Sequence, residues 1–366
     1  SPINKMKQQL NDELQHFDNT TVRFDTNVDF LDSIMRRSFQ VYMDDGIETP
    51  VEYKGHGLQR YFMVTLFKLL ARKLLEFDTK PTDSGSAYFA IEEPELFLHP
   101  QYQRIMKFYL QEIAYSDDFQ VILNTHSPNF IEFNEIETLI KVVKPSVATG
   151  TKIIQAPGLL PEDLVHVHGK PRAKEKFTMV NKINMNYYLN PQRNELFFAD
   201  KVVLVEGQTE KLMFQAWANY YYEGDASLLN KVTYIDCIGK FNMQNYCELF
   251  NAFEIDYVII MDTDLDRLED GSVKVEGAAV ANRFIKRDAS KGGATVFELD
   301  PDFEAEFRIK ESEMRQGQKM HKPYYAYKQF FDPETDAPQE GELDTLLRST
   351  RLGEMLEHIY DQELDE

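Results

Sequence analysis

The chain has 366 residues, enough for two domains of ordinary size, each with its own core. It contains 61 Asp and Glu against 40 Lys and Arg, and the formal net charge of −21 argues against a protein that coats nucleic acid through overall positive charge. The chain has two cysteines without CxxC spacing, which argues against a disulfide framework or a zinc site. Its longest apolar runs have the length of strands and it shows no signal peptide, so we expect a soluble cytoplasmic protein with no membrane partner.

A glycine-rich turn opens the first strong helical pattern. Gly55 and Gly57 lie in this turn and Gln59 follows, after which apolar residues recur at helical spacing: Phe62, Leu66, Leu69 and Leu70. The turn resembles the signature motif of ABC-type ATPases. In that motif, backbone N–H groups and a helix dipole hold the phosphate of an ATP bound on the opposite subunit.

Two apolar strands with polar ends follow. The run Tyr88–Ile91 ends in Glu92 and Glu93 and resembles a Walker B strand with its D-loop. The resemblance implies that Glu92 organises Mg²⁺, although Asp is usual there, and that Glu93 polarises the attacking water. About thirty residues later a second strand ends at His126, which resembles the switch histidine that contacts the γ-phosphate.

The phosphate-cradling sequence GxxxxGK[ST] occurs nowhere in the chain. The pair Gly169-Lys170 lacks the upstream glycine, the Ser or Thr, and a preceding strand. We therefore expect residues 1–164 to be the C-terminal half of an ABC ATPase head, with the first half deleted or on another polypeptide. ATP is then expected as a cofactor of the complete ATPase domain only.

Residues 165–199 are predicted to be a linker that contains the densest local cluster of positive charge: Lys170, Arg172, Lys174 and Lys176. Two interpretations stay open, a linker that is basic by chance and a contact with a nucleic-acid backbone. His166 and His168 alternate like strand residues without a nearby cysteine, so we interpret them as structural rather than as metal ligands.

The next motifs are two buried strands that end in acids. Val202–Val205 is followed by Glu206 and, at a predicted helix start, by Glu210, and Tyr257–Met261 is followed by three acids: Asp262, Asp264 and Asp266. The carboxyl ends of parallel strands meet at one edge of a sheet, so these acids can hold divalent metal there. For an isolated acid pair, a solvated turn is the alternative interpretation.

Further charged residues follow at predicted strand and helix ends. A strand after the first acid pair ends in a loop at the same edge that contains Lys240. Three later acids are candidates for completing a second metal site: Glu298, Asp302 and Glu304. We favour Glu304 because it begins a helical pattern, whereas Glu298 lies inside a strand. Lys322 immediately precedes a helix with proline in its first turn.

The pair Glu-Gly-x-x-Glu and Asp-x-Asp resembles the Toprim domain of topoisomerases, primases and a class of nucleases. Together with the ATPase motifs, the phrase Leu-Phe-Phe-Ala-Asp-Lys-Val and the late Lys-Pro, the chain resembles the overcoming-lysogenization-defect (OLD) family of ATP-dependent nucleases, close to the Gabija defence nuclease subunit. The resemblance ends near residue 330 and leaves the acidic segment 332–366 unplaced. It implies an α/β fold in which the ATPase half precedes a Toprim domain with a Rossmann-like parallel sheet, residues 200–366.

The resemblance also implies a metal-dependent DNA endonuclease with two Mg²⁺ or Mn²⁺ ions. We assign Glu206 and Asp262 to one ion and three acids to the other: Glu210, Asp264 and Glu304. Asp266 either binds a metal ion directly or contacts the residues that bind it. Lys322 would stabilise negative charge on the phosphoryl oxygens. The expected catalytic residues are Glu206, Glu210, Asp262, Asp264 and Lys322.

The implied partners are DNA and a second copy of the chain bound through the ATPase module. A helicase-like or other defence partner is left open, and so is the choice between anti-phage defence and DNA processing. The alternative function is an ABC/SMC-like DNA-associated assembly protein with a non-catalytic Toprim scaffold. The complete acidic set argues against a scaffold, because clustered carboxylates without metal repel one another. Primase and topoisomerase fit less well, since zinc-ribbon cysteines are absent and the ATPase half matches neither.

Overall fold

The computed structural model describes residues 5, 8–12, 21–26, 39–78, 87–115, 119–146, 149–156, 166–167, 170–171, 190–264, 277–310, 321–339 and 341–360. The chain divides into two compact units, Ser1–Phe130 and Ile131–Glu366. None of the helices in the described ranges is long and apolar enough to cross a membrane. The predicted ATPase motifs lie in the first unit and the acidic motifs in the second.

The first unit contains an antiparallel sheet, a parallel strand pair and two long helices. Its elements are β1 (Thr21–Thr26), β2 (Phe39–Asp44), β3 (Glu48–Pro50), α1 (His56–Asp78), β4 (Ala87–Glu92), α2 (Pro100–Ala114) and β5 (Phe119–Asn124), with 3₁₀ turns at Val51–Tyr53 and Pro128–Phe130. β1, β2 and β3 pair antiparallel in that order. β4 and β5 pair in parallel with Glu92 opposite Asn124, so both end at the same edge.

Helix α2 anchors the core of the first unit. It begins at Pro100, where the missing N–H costs no hydrogen bond. Its buried apolar side chains follow the helical period: Met106, Tyr109, Leu110 and Ile113. They pack in one cluster with Tyr61 of α1 and Phe119 of β5. The start of α1 and the ends of both parallel strands are therefore held by one core.

The second unit contains a parallel sheet with helices on both faces. Its elements are β6 (Ile140–Ser146), β7 (Gly150–Gln155), β8 (His166–Val167), β9 (Lys170–Pro171), β10 (Lys201–Val205), α3 (Gln208–Tyr221), α4 (Ala226–Leu229), β11 (Val232–Asp236), α5 (Met243–Phe253), β12 (Tyr257–Asp262), α6 (Ala278–Lys291), β13 (Thr295–Leu299), α7 (Phe303–Glu306), α8 (Lys322–Phe330), α9 (Glu342–Ser349) and α10 (Leu352–Tyr360), with 3₁₀ turns at Phe133–Thr138, Asn194–Phe197 and Lys240–Asn242.

The four-stranded sheet is parallel throughout, in the order β11-β10-β12-β13. Its central strands are apolar at successive positions because both faces are covered. Val202 and Leu204 join one core cluster, to which α5 and α6 contribute. Val203 and Val205 join the cluster on the opposite face, with side chains from α3, α7, α8, α9 and α10. The sheet therefore holds the ends of β10 and β12 between two packed layers.

Residues before the predicted linker belong to the second unit. The sequence predicts an ATPase part that extends to residue 164 and a linker over residues 165–199. Ile136 and Ala156 precede that boundary, yet they pack in the second unit's core with Leu196 and Val202. Residues 157–165 and most of residues 166–189 lie outside the described ranges, so the exact boundaries stay a prediction.

The acidic C-terminal segment contributes two amphipathic helices, α9 and α10. Their apolar side chains are buried against the sheet: Leu343, Leu346, Leu352, Met355 and Ile359. Glu342, Asp344, Glu354 and Glu357 lie on the outer side of these helices. The described part of this segment is therefore an outer layer of the second unit rather than a separate tail.

Candidate functional site

The two strands that end in acids are adjacent in the sheet. β10 pairs in parallel with β12, with Val202 opposite Tyr257 and Leu204 opposite Ile259. Glu206 follows β10, and its carboxylate Oε1 accepts a hydrogen bond from the backbone N–H of Asp262 at 2.9 Å. The parallel pairing therefore brings the first acids of both motifs into contact, as the sequence predicted.

Three carboxylates form the centre of the site. Glu206, Asp262 and Asp264 each offer an oxygen, and these oxygens lie within 4.8 Å of one another. Asp264 has a φ of 45°, a left-handed conformation that Asp tolerates better than most residues. Its N–H donates to Pro301 O at 3.0 Å, and Thr263 Oγ1 donates to Asp300 Oδ1 at 2.9 Å. The loop after β12 is thus fixed by the loop after β13.

Two further acids and a lysine lie beside this centre. Glu210, in the first turn of α3, is only 9% exposed. Glu304 of α7 forms an ion pair with Lys322 at the start of α8. The charges of Lys322 and Glu304 both act on the pKa of Glu210. The structure therefore brings together six of the residues predicted for the metal and catalytic site: Glu206, Glu210, Asp262, Asp264, Glu304 and Lys322.

Burial and mutual repulsion raise the pKa of three of these acids, Glu206, Glu210 and Asp262. The pKa of Asp262 is raised to about 8, first by burial and then by the charges of four neighbouring carboxylates: Glu206, Glu210, Asp264 and Glu304. Burial also raises the pKa of Glu206, against the opposing charge of Lys240. The pKa of Glu210 is raised by burial, which outweighs the effect of Lys322. Such a cluster is stabilised by cations.

The donor set fits divalent metal. Mg²⁺ and Mn²⁺ prefer carboxylate oxygens, and the three central carboxylates can meet on one ion. Glu210 and Glu304 are the further acids available to a second ion. Asp266 lies outside the described residues, so its role at the site stays a prediction.

Lys240 is a residue at this site to which sequence analysis assigned no role. It is 4% exposed, and its Nζ lies 2.7 Å from Asp264 Oδ2 and 3.5 Å from Glu206 Oε1. The sequence feature that could have indicated this role was the position of Lys240 after β11, at the carboxyl edge of the sheet.

The predicted DNA-contacting residues lie mostly outside the described part of the chain. Lys170 lies in β9, whereas Arg172, Lys174 and Lys176 lie outside the described residues.

The predicted ATPase residues lie around one end of the first unit's core. Gly55 and Gly57 surround the start of α1, and a Cβ added at Gly57 would come within 2.9 Å of Leu98 Cδ2. The Gln59 amide nitrogen donates to Lys54 O at 2.8 Å, which braces the glycine turn.

Glu92 and Glu93 follow each other at the end of β4, and Glu93 has a φ of 46°. His126 Nε2 lies 3.9 Å from Glu93 Oε1, and 76% of the histidine side chain is exposed. The acid pair and the histidine thus face each other across neighbouring strand ends. Their binding to ATP stays a prediction.

Two side chains that support these motifs were not anticipated. Glu95 accepts hydrogen bonds from Thr125 Oγ1 at 2.8 Å and from the His126 N–H at 2.7 Å. Arg60 of α1 donates to the backbone oxygen of Glu93. These contacts connect the glycine turn, the acid pair and the histidine loop within the first unit.

Comparison with protein families matches residues 1–131 to an AAA ATPase domain. Residues 197–264 match the TOPRIM domain of overcoming lysogenization defect-like proteins. The chain therefore joins an ATPase domain to a TOPRIM domain in a mixed α/β fold. This result confirms both the predicted fold class and the predicted resemblance.

Individual relatives extend the match beyond the two domains. The chain is 26% identical over 279 residues to the OLD nuclease of Thermus scotoductus, covering 73% of this chain and 48% of the relative. It is 26% identical over 269 residues to the Old nuclease of Escherichia phage P2, covering 72% and 42%. Endonuclease GajA of Bacillus cereus is 26% identical over 244 residues, covering 63% and 33%. The chain thus spans less than half the length of these curated relatives.

Proposed function

We propose that this chain is a divalent-metal-dependent endonuclease that cleaves DNA phosphodiester bonds at the acidic centre. The observation that carries the proposal is the convergence of five carboxylates and Lys322 at the carboxyl edge of a parallel sheet. The nuclease names of the relatives support the same chemistry.

The acids divide between two ions in this proposal. Glu206, Asp262 and Asp264 hold the first ion, because their oxygens lie within 4.8 Å of one another. This grouping differs from the sequence-based assignment, which placed Asp264 on the second ion. Glu210 and Glu304 hold the second. Two Mg²⁺ or Mn²⁺ ions held by these residues would supply the Lewis acidity that activates the attacking water and offsets charge on the leaving oxygen.

The remaining chemistry belongs to the chain itself. Lys322 donates to the phosphoryl oxygens as their negative charge grows. In the structure this ammonium is paired with Glu304, which holds it beside the acids. The N–H of Asp262 fixes the Glu206 carboxylate, so that the first acid pair keeps its orientation.

The ATPase domain supplies regulation in this proposal. Glu92, Glu93 and His126 provide the water-polarising and phosphate-sensing side of an ATP site, and a phosphate loop from elsewhere provides the other side. Two copies of the chain associate through this domain, because a signature turn acts on ATP bound to the opposite subunit. Anti-phage defence or DNA processing is the biological setting that we propose.

A plasmid-cleavage assay tests the nuclease proposal. Purified protein with Mg²⁺ or Mn²⁺ should nick or cut the plasmid, and EDTA should abolish the reaction. Glu206→Ala, Asp262→Ala and Lys322→Ala should each lower the rate by about 100-fold or more. The two acids would hold the first metal ion, and Lys322 would offset negative charge at the reacting phosphate.

Asp256→Ala is the matched control for Asp262→Ala. Asp256 immediately precedes β12 at the opposite end of the strand, and 63% of its side chain is exposed, so its loss should leave the rate unchanged. Circular dichroism should show that all variants are folded. If the three site variants cut like the parent, the TOPRIM domain is a scaffold and the proposal fails.

A further inference from the structure

Lys240 is an enclosed lysine beside two of the three central carboxylates, Asp264 and Glu206. Its side chain is 4% exposed, although the loop that carries it lies at the edge of the sheet. The chain enters this loop through Gly239, whose φ of 106° favours glycine. The Gly239 N–H donates to Glu206 O at 2.8 Å, and Asn242 Nδ2 donates to Cys237 O at 2.9 Å. The backbone therefore directs the ammonium toward the acids.

The ammonium contacts the same carboxylates that we assign to the first metal ion. Lys240 Nζ is 2.7 Å from Asp264 Oδ2 and 3.5 Å from Glu206 Oε1. That Glu206 oxygen also accepts the N–H of Asp262. Any cation that binds these carboxylates must share them with a positive charge that is already present.

The second lysine of the site differs in its surroundings. Lys322 pairs with Glu304, but 31% of its side chain is exposed, so solvent and substrate can reach it. Lys240 has little contact with solvent and lies among fixed acids. Its charge acts with little screening by water on Glu206, whose side chain is 15% exposed, and with more screening on Asp264, whose side chain is 50% exposed.

We propose that Lys240 is a built-in counter-ion of the first acid group, one that competes with the divalent ion. In the metal-free protein it neutralises part of the repulsion among Glu206, Asp262 and Asp264 and so stabilises the fold. On metal binding its charge opposes the incoming ion and lowers the affinity of the site. Lys240 is thus a positioning residue that sets the metal concentration at which the site fills. This inference rests on the proposed metal-dependent nuclease.

Calorimetric titration with Mn²⁺ tests this competition independently of cleavage. Lys240→Met keeps the length of the side chain and removes the charge, so it should bind Mn²⁺ at least about tenfold more tightly than the parent. Lys240→Arg keeps the charge and should stay close to the parent. Lys286→Met is the control, because Lys286 is an exposed lysine of α6 paired with Glu298.

Thermal unfolding in EDTA provides the second readout. Metal-free Lys240→Met should melt at a lower temperature than the parent, and Mn²⁺ should raise its melting temperature by a larger amount. If Lys240→Met does not fold, Lys240→Gln gives the same comparison, because it removes the charge but keeps a hydrogen-bond donor for Asp264.

The outcomes separate the two proposals. Unchanged or weaker Mn²⁺ binding in the neutral variants, with normal binding by the parent, overturns the role of Lys240 and leaves the nuclease proposal intact. Failure of both parent and neutral variants to bind Mn²⁺ overturns both. Tighter binding in the neutral variants but not in Lys240→Arg supports a competing charge.

Discussion

Asp262 lies among four other carboxylates, and its surroundings make its ionisation costly. Its pKa is raised to about 8 by burial and by neighbouring negative charge. In the unfolded chain the same group has its ordinary pKa of 3.8. Between these two values the folded protein holds a proton that the unfolded chain has released. The stability of the metal-free protein must therefore fall as the pH rises through this window.

The difference between the parent and Asp262→Asn isolates this effect. In EDTA, the parent should lose up to about 4 kcal/mol of unfolding free energy between roughly pH 5 and pH 8, since each of these three pKa units corresponds to about 1.36 kcal/mol. The variant, which has no proton to lose there, should show a flatter profile. Urea unfolding at several pH values measures both. Parallel profiles would mean that Asp262 ionises normally.

The acids of the site could be predicted, whereas Lys240 could not be assigned. Glu206 and Asp262 end buried strands, and parallel pairing brings such ends together whatever the loops do. The direction of Lys240 depends on a left-handed glycine and a short 3₁₀ turn. Single-sequence patterns do not specify that backbone geometry. Charge alone would have suggested an ordinary solvated lysine.

Among the secondary-structure elements, α3, α7 and α8 are held together by aromatic packing. Trp217 of α3 has its ring centroid 5.8 Å from that of Phe303, 5.0 Å from that of Phe307 and 5.7 Å from that of Phe330. The same three helices carry Glu210, Glu304 and Lys322. The aromatic cluster therefore holds in place the three helices that carry Glu210, Glu304 and Lys322. These helices lie close together only in the folded unit.

Trp217→Phe should disturb the site more than its effect on stability suggests. The smaller ring leaves a gap between α3, α7 and α8, and we expect a loss of about 1–3 kcal/mol of unfolding free energy. Cleavage should fall further than in Phe250→Leu, a change at a fully buried position on the opposite face of the sheet. Circular dichroism during urea unfolding and plasmid cleavage compare the two. Equal activity at equal stability would show that the aromatic cluster does not position the site.

The elements differ in how far the sequence predicts them. β10 and β12 are recognisable because central parallel strands are apolar at successive positions. The helices α9 and α10 were unplaced, because their many acids obscure an apolar face. Leu346, Met355 and Ile359 occupy that face. The helical spacing of these apolar residues is present in the sequence, but the surface against which they pack forms only in the folded unit.

For the whole molecule, we expect ATP binding to depend on a phosphate loop, a motif that this sequence does not contain. In the first unit, the parallel pair β4 and β5 leaves Tyr88 68% exposed and Ile122 59% exposed. The chain has no GxxxxGK[ST] to cradle the β- and γ-phosphates. We therefore expect that it neither binds ATP tightly nor hydrolyses it. Calorimetry and a phosphate-release assay test this expectation, and robust hydrolysis abolished by Glu93→Gln would refute it.

If this chain binds DNA as we propose, its net charge of −21 requires a local basic surface for the contact. We expect the cluster of the predicted linker to be part of it, and neutralising all four residues should weaken binding to every sequence alike: Lys170, Arg172, Lys174 and Lys176. The salt dependence should flatten by about 0.9 in slope for each DNA phosphate that the variant no longer neutralises. Binding titrations at several salt concentrations measure the slope.

A second quadruple variant with the same change in charge is the control: Lys152, Lys231, Lys286 and Lys291 to Gln. It should shift affinity slightly and keep the slope of the parent. If both quadruple variants give the parental slope, the linker cluster is an ordinary solvated surface. DNA would then bind elsewhere, with Lys319, Lys322 and Lys328 as the next candidates.

The distance along the chain between the residues of the acidic centre has a consequence for synthesis on the ribosome. The acidic centre combines Glu206, which follows β10, with Lys322 at the start of α8. A nascent chain folds its N-terminal parts first, and contacts between distant segments form late. Glu206 and Asp262 can meet before Glu304 and Lys322 have emerged. In our proposal, cutting requires all of them, so the growing chain becomes a nuclease only after the segment that contains Lys322 has been translated.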